Sequence, residues 1–495
     1  MKFKEYNQKQ VWLIPPNIED EIPKGDLCRV IDEVIEAINI NCIENKYREE
    51  GNPAYHPRMM LKLLFYSYSR KVFSSRKIAQ ELERNIYYWY LTGKQKPDFR
   101  TINLFRLRHG QELKLVFEEI VRLCIRLGLA DVTTVAIDST KIKASANRDK
   151  LKDKDWLDRK IRENTEILRQ SLDEADRIDR EEDELYGDKR GDELPEELRD
   201  QKKRLELLRK LKEEMEQTQQ KTINLTDKDA KLIKSGGKFS VGYNCQSIVD
   251  SKHQVIVAAD ISESPNDWNE LKPMVEGLKE SQGKIPQIIL ADAGYFSGST
   301  LKYLKKERID GYIPDKAARD LKEELAGKIA DEDRYSKEYF KYSKEKDLYR
   351  CPEGKALRRT TSIPLKVHRK GEGLVHYFQY QCRECRSCGS REKCTNNLDG
   401  RTINRYADEA LREEMAKKMR TGGYAIYKQR MKIIEAVFGN IKQNLGFREF
   451  SLRGLIKTRG EFFLIATAHN LLKIKNWMNK TKTEIGGSKL GYSSA

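Results

Sequence analysis

Two short apolar segments, each leading to a single aspartate, constrain the fold of this chain more than any other feature. "VAID" ends at Asp138 and "ILAD" ends at Asp292. Apolar, β-branched runs of this length predict buried strands. Helical patterns such as "SGSTLKYLKKE" follow the strands and predict an α/β fold. Ligands of such sheets bind beyond the carboxyl ends of parallel strands, so both aspartates are candidate site residues.

Helical and cysteine-rich segments surround this predicted core. Ser74 and Ser75 are candidate caps of one helix, and Asp98 or Thr101 could cap another. Asp267 and Glu270 have the spacing of a capping box. The predicted domains are a helical N-terminal DNA-binding domain (1–130), the first part of the core (131–148 and 222–315), a charged helical-hairpin insertion (149–221), a Cys-rich insertion (316–424), C-terminal helices of the core (425–480) and a flexible tail (481–495).

The positive charge of the chain is large and uneven. The whole chain carries +17 and residues 148–221 carry −4, so the rest carries +21. Such an excess favours a nucleic-acid partner over a charge that serves solubility alone. Short basic helices before residue 130 resemble a helix-turn-helix unit, although a helical bundle with a basic face fits the pattern equally well. Candidate DNA contacts there are Arg100, Arg106 and Arg108.

The sequence carries no signal for a membrane or for secretion. No stretch reaches the roughly 18 to 20 apolar residues that span a bilayer. The N-terminus, "MKFKEYNQKQ", lacks the apolar centre of a signal peptide. We therefore expect a cytoplasmic, nucleoid-associated protein without a membrane partner.

Five of the nine cysteines lie between Cys351 and Cys394. The C-x-x-C spacing of Cys382, Cys385 and Cys388 suits tetrahedral Zn²⁺, and a reducing compartment fits this pattern better than a disulfide framework. Four of the five thiols could hold one ion, and we favour Cys351 with three of the later cysteines. A reduced loop without metal is the alternative.

A third acid, Glu435, lies on the predicted helix "YAIYKQRMKIIEAVFGNIKQNLGF". On an ideal α-helix Lys442 lies two turns further along the same face, whereas Arg430 lies about 140° away around the axis. Two strand-end aspartates and a helical glutamate offer oxygen ligands, which suit Mg²⁺ or Mn²⁺. The joint pattern is more specific than any one of the acids.

These motifs resemble those of bacterial insertion-sequence transposases of the DDE type, which have an RNase H-like, integrase-like catalytic core. "AIDSTKIKASAN" matches the first-acid motif and "LADAGYFSGSTL" matches the second. "YKQRMKIIEAVFGNIK" resembles the Tyr-Arg-Glu-Lys signature, which gives Tyr427, Arg430, Glu435 and Lys442. The helices before residue 130 are similar to the domain that precedes the core. The family signature has three residues between Arg and Glu, and this chain has four.

The resemblance implies a two-metal mechanism. Asp138 would bridge two Mg²⁺ ions, Asp292 would bind one of them and Glu435 the other. One metal would activate water or a 3′-OH, and the other would stabilise the leaving oxygen. The reactions implied are strand cleavage at the transposon ends and strand transfer into target DNA.

The resemblance also implies partners. Double-stranded DNA, both transposon ends and target, is the expected substrate, and we expect a homodimer in the active complex. Lys141, Lys143, Tyr427, Arg430 and Lys442 are the predicted DNA contacts near the acids. Two alternatives stay open: a metal-dependent nuclease without strand transfer, and a non-catalytic DNA-binding regulator. The three intact acids argue against the regulator.

Overall fold

Strands and helices alternate along the chain, and the predicted mixed α/β character is confirmed. The structure is a computed structural model. It describes residues 17–47, 53–186, 196–218, 220–235, 237–327, 334–369, 373–482 and 485. Of the predicted tail (481–495), residues 483, 484 and 486–495 lie outside this described part.

The α-helices of the described residues are α1 (Leu27–Ala37), α2 (Asn41–Glu44), α3 (Pro57–Ser69), α4 (Ser75–Arg84), α5 (Ile86–Thr92), α6 (Phe99–Arg108), α7 (Glu112–Arg126), α8 (Lys154–Tyr186), α9 (Glu196–Gln217), α10 (Leu271–Gln282), α11 (Gly298–Glu307), α12 (Ala318–Leu325), α13 (Arg391–Cys394), α14 (Glu409–Lys418), α15 (Tyr424–Tyr427), α16 (Ala436–Gly439) and α17 (Leu455–Thr481).

The strands are β1 (Thr134–Lys143), β2 (Leu151–Asp153), β3 (Thr222–Asn224), β4 (Lys231–Ser235), β5 (Lys238–Asp250), β6 (Ile256–Ser262), β7 (Ile288–Leu290), β8 (Asp310–Tyr312), β9 (Lys341–Ser343), β10 (Leu348–Arg350), β11 (Ala356–Arg359), β12 (Leu365–Arg369), β13 (Gly373–Gln381) and β14 (Thr402–Tyr406).

The chain divides into two compact units. The larger unit comprises residues 1–140, 245–447 and 460–495, and the smaller unit comprises residues 141–244 and 448–459. Strands β1 and β5 each contribute residues to both units.

The central sheet of the larger unit has the strand order β6-β5-β1-β7-β8. β1 pairs with β7 in parallel, with Ala136 opposite Leu290, and β7 pairs with β8 in parallel. Val135, Ala136 and Ile137 are fully buried, which explains why this apolar run forms the middle of the sheet. The prediction that the first strand ends at Asp138 is wrong, because β1 continues to Lys143.

The N-terminal helices also belong to the larger unit. Local side chains fix where they begin: Asp26 caps α1 through the Cys28 amide at 2.9 Å, and Asp98 caps α6 through the Thr101 amide at 2.7 Å. Ser74 is at the N-cap of α4 without a side-chain cap bond. The apolar faces of these helices pack together, as the buried α3 shows.

The segment between the second and third acids contains an antiparallel sheet of its own, with the order β12-β13-β11-β10-β9 and β14 beside β13. Its core contains Phe340, Tyr349, Leu357, Tyr380 and Ile403. Two cysteines, described below with the candidate sites, are part of the same core.

Two helical segments complete the larger unit. Residues 424–444 form an almost continuous helix in which α15 and α16 alternate with the π-helical segments Met431–Glu435 and Asn440–Asn444. The apolar α17 is largely buried, as its pattern predicts. No described helix combines the length and the low polarity needed to cross a membrane.

In the smaller unit the long helices α8 and α9 pack against each other. Leu157, Leu208, Leu211 and Met215 form their shared apolar cluster. β4 pairs with the first half of β5 in an antiparallel ladder. The turn predicted between the two helices falls on residues 187–195, outside the described residues.

Candidate active site

The two predicted aspartates lie at equivalent positions relative to the paired residues of two neighbouring parallel strands. Asp138 and Asp292 each follow the last paired residues, Ala136 and Leu290, by two positions. The chain passes from β1 to β5 and β6 on one side of the sheet and returns to β7 and β8 on the other. The aspartates therefore lie at the point where the strand order reverses, which is where α/β sheets place their ligand sites.

Local backbone bonds orient both carboxylates. The Ser139 amide donates to Asp138 Oδ1 at 2.8 Å. Asp292 caps the 3₁₀ turn Ala293–Tyr295, and its Oδ1 accepts from the Gly294 amide at 2.9 Å. Neither carboxylate therefore depends on long-range contacts alone for its position.

The guanidinium of Arg430 lies among all three predicted acids. Its Nη2 donates to Asp138 Oδ2 and lies 3.9 Å from Asp292 Oδ2. Its Nη1 lies 3.7 Å from Glu435 Oε1. We call Asp138, Asp292 and Glu435 the acid cluster. Its side chains become more exposed outward, from 14% for Asp138 to 52% for Glu435, whereas Arg430 is 8% exposed.

A π-helical turn explains how Arg430 and Glu435 meet. The α-helical prediction placed these side chains about 140° apart. The segment between them, Met431–Glu435, is π-helical, so hydrogen bonds run from i to i+5 and residues five apart lie on one face. The predicted angular separation is wrong for this reason. The additional residue between Arg and Glu, relative to the family signature, is accommodated by the wider turn.

Burial and charge act against each other in the acid cluster. Burial raises the pKa of Asp138 to about 7, although Arg430 acts to lower it and the charge of Asp292 adds to the rise. Burial would lower the pKa of Arg430, but attraction to Asp138 and Asp292 raises it, so the guanidinium stays charged. Within the described part of the chain, its buried Nε has no hydrogen-bond partner.

A fourth carboxylate, Asp267, supports the site and was missed as a site residue in the sequence. The capping box predicted for Asp267 and Glu270 is not the start of α10, which begins at Leu271 with no side-chain cap bond at Glu270. The Asp267 carboxylate accepts from Ser139 Oγ at 2.9 Å and from Gln246 Nε2 at 2.6 Å. The only sequence signal is a hydroxyl residue directly after Asp138, which is too common to identify a partner.

The network continues behind the site. The hydroxyl of Tyr295 donates to Gln246 Oε1, and Tyr295 is fully buried. Asp267 and Tyr295 together thus connect β1, β5 and the turn that follows Asp292. A buried network with its partners satisfied holds such elements in one arrangement.

The acid cluster offers the ligand atoms of a magnesium site, but its side chains are not arranged around one ion. All its ligand atoms are carboxylate oxygens, which Mg²⁺ and Mn²⁺ prefer. Among the described residues, no three His, Cys, Asp or Glu side chains are grouped closely enough to hold a metal ion. In the acid cluster the Arg430 guanidinium lies between the carboxylates.

Three of the predicted DNA contacts, Arg106, Tyr427 and Arg430, are buried, and the guanidinium of Arg430 lies among the acids. Arg106 is 3% exposed, and its guanidinium donates to the Tyr68 hydroxyl at 3.0 Å and to the Phe73 carbonyl at 2.9 Å. This buried position does not favour the predicted DNA contact, because the guanidinium ties helices together. Tyr427 is 4% exposed and stacks on Tyr424, so its position does not favour the predicted contact either.

The other predicted contacts differ in exposure. Arg100 and Arg108 are exposed on α6, and Lys143 is exposed at the end of β1. Lys141 donates to Asn244 Oδ1 within the smaller unit. The remaining one, Lys442, is partly exposed on the π-helical segment Asn440–Asn444.

The five clustered cysteines line one small cavity. We call them the cysteine cluster: Cys351, Cys382, Cys385, Cys388 and Cys394. A tight turn between β10 and β11 presents the first, and the 3₁₀ turn Arg383–Ser387 follows the second. All five are free thiols. Burial, with a hydrogen bond to Cys385, raises the pKa of Cys382 to about 11, so its metal-free form is a neutral thiol.

Two segments of the chain match known protein families. Residues 350–475 match the transposase DDE domain family, and residues 16–108 match the transposase domain family DUF772. The first match includes Glu435 and the whole cysteine cluster. These matches are consistent with an insertion-sequence DDE transposase, and they support a DNA-cleaving or transposing enzyme.

Comparisons of the whole chain are less informative. No curated protein matches it in sequence. The cryo-EM structure of the piggyBac transposase synaptic complex with hairpin DNA is similar at 10% identity over 92% of this chain and 76% of that chain, with a TM-score of 0.31. A TM-score of this size does not establish a common fold.

Proposed function

We propose that the protein is a DDE transposase that cleaves DNA strands at transposon ends and joins them to target DNA. The observation that carries the proposal is the convergence of three carboxylates, from β1, from the turn after β7 and from a C-terminal helix, at the point where the strand order reverses. The order β6-β5-β1-β7-β8, with the first acid on the central strand, supports an RNase H-like core.

In this proposal Asp138, Asp292 and Glu435 hold Mg²⁺ or Mn²⁺. Bound metal would activate the attacking water or 3′-OH and stabilise the leaving oxygen. Asp138 is the most deeply placed ligand and is fixed by the Ser139 amide. Glu435 is the most exposed and closes the site from the solvent side. Asp267 and Tyr295 would support the segments that carry Asp138 and Asp292, through their hydrogen bonds to Ser139 and Gln246.

Double-stranded DNA is the proposed substrate, and the charge of +21 outside residues 148–221 supports it. The contacts that we retain are Arg100, Arg108, Lys141, Lys143 and Lys442. A homodimer as the active complex stays a prediction. Binding of a DNA duplex should weaken steeply with salt, with log K falling about 0.9 per phosphate neutralised for each tenfold rise in salt.

Arginines on α6 allow a matched test of the DNA contacts. Arg108→Gln should reduce the salt slope by about one. Arg106→Gln should leave the salt slope unchanged and lower the melting temperature, because Arg106 is buried against Tyr68. A salt-independent affinity of the wild type would remove the argument from charge.

A structural Zn²⁺ in the cysteine cluster is a further part of the proposal. Cys382 and Cys385 are buried in the core of the antiparallel sheet, and Cys351 and Cys394 pack against it. Cys388 lines the same cavity but is outside that packed group. These four packed thiols are therefore the proposed ligands, and they would have to move closer together around the ion, because no three of them are grouped closely enough in the described residues to hold a metal. Zinc bound by thiolates commonly contributes folding energy, so its role would be structural.

The decisive experiment is incubation of the full chain with Mg²⁺ and DNA that carries the repeats flanking its coding region, followed by sizing of the products. Cleaved ends joined to a second duplex support the transposase. Cleavage without joining would identify the nuclease alternative, and binding without cleavage the regulator. Either of these two results overturns the proposal as stated.

A further inference from the structure

We propose that Arg430 is the resident counter-cation of the acid cluster and that divalent metal binds by displacing its guanidinium. The inference rests on the proposed function, because it assigns metal binding to these acids. It gives Arg430 a role in the protein before metal or DNA arrives. Arg430 would thus be a positioning residue whose departure is a step of metal loading.

The position of the guanidinium is the first argument. It is the cation that contacts Asp138, and it lies within 3.9 Å of both Asp292 and Glu435. A metal ion that uses oxygens of all three acids must occupy the same space. The finding that no three acidic side chains are grouped to hold a metal in the described residues fits this arrangement.

Electrostatics is the second argument. Three carboxylates and one guanidinium leave the site with a net negative charge, which attracts a divalent cation. If the guanidinium stayed among the acids, it would repel a divalent ion twice as strongly as a monovalent ion at the same distance. Burial of the pair intensifies this repulsion, since Arg430 is 8% and Asp138 14% exposed. Simultaneous occupancy of the acid cluster by the guanidinium and a metal ion is therefore unfavourable.

The hydrogen bonding of Arg430 is the third argument. Its Nε is buried without a partner in the described part of the chain, although a guanidinium offers five donors. An unsatisfied buried donor destabilises the position that it occupies. Arg430 is thus held by its two Nη groups alone, and its release costs less than that of a fully bonded guanidinium.

The π-helical segment Met431–Glu435 is what makes this arrangement available. It brings Arg430 and Glu435 to one face, so the same helix supplies both a ligand and the cation that competes with metal for it. In a regular α-helix at this spacing the two side chains would diverge. The competition is consequently a property of this chain, with its additional residue between Arg and Glu.

The test is a Mn²⁺ titration of the DNA-free full chain, with bound metal measured by electron paramagnetic resonance. The variants are Arg430→Gln, Arg430→Lys and Lys432→Gln. Lys432 is exposed on the same helical segment, so its substitution makes the same charge change at a neighbouring position on the surface. Asp138→Asn gives the background binding that does not involve the acid cluster.

If Arg430 competes with metal, Arg430→Gln should bind Mn²⁺ about tenfold more tightly than the wild type, within the usual range of coupling between two ligands. Lys432→Gln should stay within about twofold. Arg430→Lys keeps the charge but loses the two-pronged contact, so its affinity should lie between those of the wild type and Arg430→Gln. It also keeps the proposal testable if Arg430→Gln fails to fold.

Unchanged or weaker Mn²⁺ binding by both Arg430 variants overturns the inference, as does an equal gain in Lys432→Gln. If Arg430 were only a structural residue, its substitution would weaken Mn²⁺ binding. Tighter Mn²⁺ binding therefore distinguishes a competing cation from a structural residue. Failure of the proposed function is a separate result. A wild type that does not cleave DNA, combined with a gain in Arg430→Gln, would keep the counter-cation and reject the transposase.

Discussion

The acid cluster and the cysteine cluster both consist of side chains that bind metal ions, but the protein stabilises them in opposite ways. The acid cluster is charged and is compensated by the guanidinium of Arg430. In the cysteine cluster, burial raises the pKa of Cys382 and of Cys394, and two of its thiols are part of an apolar core. The first can exist folded and exchange one cation for another. The second contributes to the packing on which its sheet depends.

This difference predicts a different role for the metal ion in each cluster. Removal of a cation from the acid cluster leaves Arg430 to take its position, so the fold should persist and chemistry should stop. Removal of a cation from the cysteine cluster leaves thiols that must pack as small apolar groups. Loss of zinc there should therefore be measured as loss of stability, and loss of chemistry should be secondary.

The largest expected effect is on cleavage by the acid cluster. Asp138→Asn, Asp292→Asn and Glu435→Gln should each lower cleavage of transposon-end DNA in Mg²⁺ by about 10²–10³-fold or more, because each removes a charge at the reacting centre. Binding of the same DNA should change little, since metal ligands serve the chemistry.

The matched control for these variants is Glu280→Gln, an exposed residue near the end of α10. It should cleave like the wild type. Near-normal cleavage by any one of the acid variants would show that this acid is not a ligand.

The next effect concerns metal and folding at the cysteine cluster. Protein purified without added zinc should hold about one Zn²⁺ per chain, and Cys382→Ser with Cys385→Ser should abolish it. Hydrogen exchange should then increase first within residues 316–424. Cys42→Ser, at a partly exposed cysteine on α2, is the control and should keep its zinc. A well-folded wild type without zinc, or equal zinc in both proteins, would contradict the assignment.

Local apolar pattern was sufficient to predict several strands and helices of the larger unit, but it did not predict the antiparallel sheet of strands β9 to β14. The strands β5, β6 and β7 and the helix α11 follow from runs of buried side chains or from a local cap. The end of β1 was predicted too early because polar residues follow Asp138, and alternation past that point was not recognised as a strand. Helix periodicity also fails where hydrogen bonding changes, and the π turn after Arg430 is such a place.

The sequence indicates the acids of the candidate site, but it does not indicate the residues that surround them. An aspartate directly after an apolar run is a local signal, so Asp138 and Asp292 could be proposed from the sequence. The bonds from Ser139 and Gln246 to Asp267 join residues far apart in the chain. Arg106 has the same chemistry as Arg108, and only the position of Tyr68 reveals that it is buried.

A single methyl group can probe the packing of the cysteine cluster. Gly400 has a φ of +100°, and a Cβ there would lie 2.1 Å from the Cys382 carbonyl oxygen. Gly400→Ala should therefore destabilise the surrounding sheet by about 2 kcal/mol or more, from backbone strain and overpacking. Zinc content should fall with it. Gly389→Ala, which meets no atom within 4 Å, is the control in the same segment. Equal melting temperatures of the two variants would contradict this account.

The same experiment at the acid cluster should have the smallest effect. A Cβ on Gly294 would lie 3.0 Å from Asp292 Oδ1 and 3.7 Å from Asp267 Cβ, so a shift of a few tenths of an ångström in a side chain accommodates it. Gly294→Ala should keep the wild-type melting temperature and lower cleavage by about tenfold or less, because a small displacement of a ligand affects alignment more than folding. Gly277→Ala, with no atom within 4 Å of its Cβ, should leave cleavage unchanged. If Gly294→Ala instead loses stability as Gly400→Ala does, then the acid cluster is as rigidly packed as the cysteine cluster. Exchange of Arg430 for metal would then require a larger rearrangement than a movement of side chains.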